Sequence, residues 1–237
     1  MKNKNLFQRL LFTIALLLPV VNSEPIMAQV PYVIAIEGDL RGLAYDRWRD
    51  RVYISNLTLN QVEIFDVRSQ TLLEPILVGS LPEGIDVTRD GSRLYVLNTG
   101  APKVSVVDLT SDPPIEIERM NLNGVTAEGG GEASGNEWKI CNDGTAFFNM
   151  AESGYHYKGS ENTIDTIDLA GWGHIYTSWD RMTVVVGLNN SATVYNCATH
   201  QFEPLGFLEG FNRDWWDWIV AISITNDKSL RAVTRYE

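Results

Sequence analysis

From Gly42 to Leu109, apolar and polar residues alternate in runs of five or six, and each run ends in turn-forming residues. A period of two marks strands with one covered face. Gly84–Thr88 reads as a short first strand, Arg93–Asn98 as a second and Val104–Leu109 as a third. Between them lie Arg89–Ser92, which carries the pair Asp90-Gly91, and Gly100–Lys103. Asp-Gly pairs and Gly/Pro clusters make tight turns. In the preceding run Glu74–Val78 supplies a fourth strand, ended by Gly79.

The pattern repeats. Gly42–Arg47 aligns with Gly84–Arg89, Arg51–Asn56 with Arg93–Asn98, and Val62–Asp66 with Val104–Asp108, all at an offset of 42 residues without a gap. A repeat of about 40–45 residues holding four strands is the signature of a propeller blade. One such blade cannot cover both of its faces, whereas a ring of blades can. The expected fold is therefore all-β: a β-propeller of four-stranded blades. Tyr53 and Tyr95 become equivalent positions on second strands, and both are expected to be buried between blades.

Later units align more loosely. The blades are placed at about 42–78, 84–122, 137–169 and 174–207, with a partial fifth at 221–237 and a Gly/Glu-rich insertion at 124–136. Thr163–Leu169 resembles a third strand in composition. Its closeness to His174 makes it a fourth strand by spacing, which leaves Tyr155–Lys158 as the third. Tyr32–Ile36, ahead of Arg41-Gly42, aligns with Glu74–Val78, ahead of Glu83-Gly84. It is expected to be the outer strand of a closing blade whose third strand is missing, so the natural protein is expected to continue past Glu237.

Pro82-Glu83-Gly84, Asp90-Gly91, Leu94-Tyr95-Val96, Asn98 and Val104–Asp108 together resemble the YVTN β-propeller repeat. The resemblance is strong over about residues 40–110 and degenerate beyond. Leu40-Arg41-Gly42 and Asp50-Arg51 depart from the pattern in the first unit. The resemblance implies that first strands line a central channel and that ligands bind at its rim, where Arg41, Glu83 and His174 align. The alternative for Arg41 and Glu83 is a solvated neighbouring ion pair, worth little.

At the N-terminus, Lys2, Lys4 and Arg9 precede the apolar run Leu10–Val21, and small residues follow at Ser23 and Ala28. This is the layout of a secretory signal peptide over residues 1–28, leaving 29–237 as the propeller. The run is short for a membrane span and contains Pro19. A secreted or periplasmic location follows, and an oxidising compartment makes a Cys141–Cys197 disulfide possible. No later segment is apolar enough to span a bilayer. A formal net charge of −11 argues against a general nucleic-acid binder.

Candidate chemistry is sparse. His156, His174 and His200 share no metal-ligand spacing, and no metal site or cofactor is expected. No nucleophile elbow or phosphate loop appears. Trp215, Trp216 and Trp218 form either an exposed aromatic platform or packing between blades. Asn56 heads an Asn-x-Thr triplet but fits better as the strand-end asparagine of the repeat. The resulting expectation is a non-enzymatic binding scaffold that presents its channel rim to a protein, peptide or small ligand. The alternatives are a metal-assisted lactonase-type hydrolase, in which Glu83, Asn136 and Glu137 would converge, a dehydrogenase, and a single-stranded nucleic-acid binder.

Overall fold

The computed structural model describes residues 33–125, 136–150, 153–167, 174–178, 180–188, 191–207, 218–224 and 230–236. All regular structure among them is β. The first blade contains β1 (Leu40–Asp46), β2 (Arg51–Asn56), β3 (Gln61–Asp66) and β4 (Thr71–Leu77). The second contains β5 (Pro82–Val87), β6 (Arg93–Asn98), β7 (Lys103–Asp108) and β8 (Ile115–Asn121). The third contains β9 (Trp138–Ile140), β10 (Ala146–Met150), β11 (Ser153–Lys158) and β12 (Thr163–Ile167). The fourth contains β13 (His174–Thr177), β14 (Thr183–Leu188), β15 (Ser191–Asn196) and β16 (Gln201–Phe207). Each sheet is an antiparallel meander in chain order, and the four make a four-blade β-propeller. A fifth sheet has two strands, β17 (Trp218–Ile224) and β18 (Leu230–Tyr236), with β17 beside β13.

The strands obey the alternation seen in the sequence. Tyr53 pairs with Ala44 and Tyr95 with Asp86, so the two tyrosines do occupy one register. β12 is the outer strand of its sheet, as spacing requires, and its composition misleads. Residues 33–36, the described part of the expected outer strand Tyr32–Ile36, form no strand. Residues 1–28, and residues 126–135 of the expected insertion, lie outside the described residues.

In the second blade burial falls from the inner to the outer strand: β5 is almost wholly buried, whereas β8 is mostly exposed. The core consists of layers between successive blades. Ala44, Tyr53 and Ile64 pack on Ile85, Leu94 and Val107 between the first and second. Leu97, Val104 and Leu122 pack on Trp138, Phe148 and Met150 between the second and third. Phe147 packs on Ile175, Val184 and Tyr195 between the third and fourth, and the disulfide Cys141–Cys197 lies in that layer. This is how a repeat too thin to bury its own faces acquires a core.

The repeated glycine at the start of the first strand has a steric cause. A Cβ on Gly42 would lie 2.4 Å from the Glu83 carbonyl oxygen, and one on Gly84 would lie 2.6 Å from the Trp138 amide nitrogen. Neighbouring inner strands approach too closely there for any side chain.

Candidate functional site

The first strands run from Arg41, Glu83 and His174 towards tight turns. The sequence places the ligand at the start of these strands, but two neighbouring pockets lie at their other ends, among the turns. Arg41 is paired with Asp39 at 2.6 Å. Glu83 accepts hydrogen bonds from the Thr99 hydroxyl at 2.8 Å and from the Asn136 amide side chain at 3.0 Å. The expected Arg41–Glu83 pair is thus replaced by separate local partners. Glu83 and Asn136 do meet, but the carboxylate oxygens are taken by hydrogen donors. Glu137 instead accepts the Ile175 N–H at 2.5 Å, facing the fourth blade. Among the described residues no group of three His, Cys, Asp or Glu side chains could hold a metal ion. The backbone of His174 begins β13, but its side chain lies outside the described part. Trp215 and Trp216 also lie outside it, and Trp218 is described only as backbone at the start of β17.

The turns share one construction. In the second blade the Gly91 amide donates to the Thr88 carbonyl, and the Thr88 hydroxyl donates to Asp90 at 2.6 Å. In the fourth, the Arg181 amide donates to the Ser178 carbonyl, and the Ser178 hydroxyl donates to Asp180 at 2.6 Å. The Thr88 hydroxyl and the Ser92 amide hold the Asp90 carboxyl below the ordinary carboxylate range. Gly91 and Gly144 take left-handed backbone here, with φ of 71° and 87°. Arg181 occupies the same place with φ of 58°, where a side chain costs about 1–3 kcal/mol.

That unusual arginine reaches across the channel. Both of its terminal nitrogens donate to the carboxylate of Asp86 in the second blade, a fork that also receives the Ile140 amide of the third. Asp86 is buried, so the pair is largely shielded from solvent. Bidentate guanidinium–carboxylate contacts are the strong, directional form of the ion pair.

Above the pair lies a pocket of about 160 Å³, lined from the first blade by Tyr45–Trp48, from the second by Val87–Arg89 and from the fourth by Thr177, Ser178 and Arg181. Trp48 is 57% exposed. Its indole N–H donates to the Arg89 carbonyl at 2.8 Å, and the Arg47 guanidinium lies over its ring, 4.4 Å from the centroid. Arg49 binds Asp46 at 2.7 Å and the Gly91 carbonyl at 2.8 Å, pinning the first turn to the second. A second pocket, of about 720 Å³, shares Arg47, Trp48, Thr88 and Arg89 and continues towards Asn142 and Asp143 of the third blade. The sequence reading missed Trp48, Arg89, Asp86 and Arg181 as site residues. The available signal was Arg181 standing after Asp180 where the repeat has glycine.

No protein-family model matches the chain, and no curated protein is significantly similar to it. Among solved structures, it is similar to a chain of hydrazine synthase from Kuenenia stuttgartiensis, with 22% identity and a TM-score of 0.58. The match covers 86% of this chain and 59% of that one, so this chain spans less than two thirds of the length of the protein it resembles. At that identity the likeness is one of fold, and the fold is the β-propeller.

Proposed function

We propose that this chain is an exported propeller of the YVTN type that acts as a non-enzymatic binding scaffold, with its ligand seated at the channel mouth. One observation carries the reading: turns from three blades converge on a concave site that includes Arg181, itself fixed by Asp86. Concave sites with a few fixed polar groups are where propellers and other scaffolds take ligands. The repeat over residues 40–110 supports the family assignment, and the Cys141–Cys197 bond fits an oxidising compartment.

The test is a thermal-shift panel of peptides, sugars and organic acids on the full chain and on Trp48→Ala, with product analysis of every compound that binds. A ligand that stabilises the wild type, loses its effect in Trp48→Ala and is recovered unchanged supports the scaffold. Conversion of the ligand, or stabilisation that is the same in Trp48→Ala, overturns it.

A further inference from the structure

The pocket beside Arg181 is rich in arginine on a chain whose formal charge is −11. Three guanidinium groups line it, Arg47, Arg89 and Arg181, and Asp86 balances the charge of the last. The carboxylate in its wall, Asp46, has no side-chain exposure and is held by Arg49. The carboxylate beneath it, Asp86, is consumed by Arg181. Arg89 is exposed and its guanidinium reaches the Asp180 carbonyl at 3.3 Å, with no carboxylate in ion-pair range among the described residues. Surface arginines on an acidic protein ordinarily find a carboxylate, since opposite charges within about 4–6 Å attract and like charges repel.

The arginines are also held in place. Trp48 supports Arg47 on its ring and is itself anchored to the backbone carbonyl of Arg89, so the Arg47 guanidinium is tied to the turn that carries Arg89. Thr177 accepts from Arg181 at 3.0 Å, which leaves its hydroxyl proton to donate into the pocket. Forked donors fixed around a small cavity match the tetrahedral oxygens of phosphate. Ordering cost is low, because the groups are positioned before the ligand arrives.

The larger neighbouring pocket limits what the phosphate is attached to. Asp90 and Asp143 line it, together with Asn142. Carboxylates repel further negative charge and accept hydrogen bonds from hydroxyls. Resting on the scaffold reading above, we infer that the channel mouth binds a phosphate ester of a polyhydroxylated small molecule. The phosphate sits between Arg47 and Arg89, beside the Thr177 hydroxyl, and the hydroxyl-bearing part extends towards Asp143.

Isothermal titration of the full chain at constant ionic strength tests this with a sugar phosphate, inorganic phosphate, the unphosphorylated sugar, and a dicarboxylate. The sugar phosphate should bind tightest, inorganic phosphate should compete with it, and the free sugar should bind at least about tenfold more weakly, as loss of charged hydrogen bonds requires. Arg89→Gln should weaken the sugar phosphate about tenfold or more while leaving the melting temperature near that of the wild type, because Arg89 holds no buried partner. Equal binding by Arg89→Gln, or no heat from any phosphate compound at millimolar concentration, overturns the inference. If the free sugar or the dicarboxylate binds instead, in a manner that depends on Trp48, the phosphate assignment fails and the scaffold survives. If none of the four binds and the thermal-shift panel is also silent, both fail.

Discussion

Tyr95 of the second blade stacks on Trp138 of the third, with ring centroids 6.1 Å apart and planes 16° apart. Its repeat partner Tyr53 has no exposure and fills the layer between the first and second blades. Tyr53→Ala should therefore cost about 3–5 kcal/mol, the range for large aromatic truncations in a core. Tyr95 is only partly buried, so Tyr95→Ala should cost less. Urea unfolding of both variants gives the comparison, and equal losses would contradict the difference in cover. Burial also raises both phenols above their ordinary range. Their contribution to stability is complete below about pH 10 and is lost as pH rises through the raised values.

His156 lies parallel to Phe147, with centroids 4.5 Å apart and planes 7° apart, and edge-on to Tyr195. Burial first, and Lys158 second, push the imidazole below its usual value. A buried neutral histidine must be charged for the chain to unfold in acid. Its stabilisation is therefore present above about pH 6.5 and lost as pH falls through the lowered value. His156→Phe should flatten the dependence of the urea midpoint on pH across that window. A slope unchanged in His156→Phe would assign the acid sensitivity elsewhere.

Gly42→Ala places a methyl group against the Glu83 carbonyl. Backbone cannot yield as a flexible side chain does, so the inner strands of the first two blades must separate. The expected loss is about 1–3 kcal/mol, as for other overpacked sites. A midpoint equal to that of the wild type would mean the strands have room to part.

Asp86→Ala leaves Arg181 without its partner, and Arg181→Ala strands a buried carboxylate. Each should cost about 3–5 kcal/mol. Arg181→Gly makes the same cut but relieves the left-handed backbone, so it should be about 1 kcal/mol less damaging than Arg181→Ala. Chemical denaturation of the three variants ranks them, and the glycine variant falling below the alanine one would remove strain from the account.

Cys141 and Cys197, 56 residues apart, tie the turn of the third blade to the end of β15. Closing a loop of that length stabilises by roughly 4 kcal/mol through the unfolded chain. Reduction with dithiothreitol should lower the urea midpoint accordingly, and thiol titration before and after reduction should differ by two groups per chain.

The propeller could be read from the sequence because its strands carry their own alternation and its turns their own Asp-Gly chemistry. Even the misleading segment Thr163–Ile167 was resolved by spacing. The site was much less legible. Asp86 and Arg181 lie in different blades and meet only because the ring curves, so no local spacing joins them. Arg41 and Glu83 sit at matching repeat positions, yet each is satisfied by a neighbour, because repeat equivalence places residues in corresponding positions in different blades and not beside one another. Trp48 is the first tryptophan of the chain, 90 residues ahead of the next, but its role depends on the Arg89 backbone, which only the packed turns bring to it.

The Asp86–Arg181 fork also bears on how the repeats come apart. In a string of units that touch only their neighbours, each can open almost alone, and stability is a sum over units and interfaces. Here the second blade is fastened to the fourth over a separation of 95 residues, passing over the third. Opening any one of these blades breaks a bond that another depends on. Blades two to four should therefore exchange their amide hydrogens as one cooperative block, with the first blade joined to it only through its contacts with the second, such as Arg49 on Gly91 and Trp48 on Arg89.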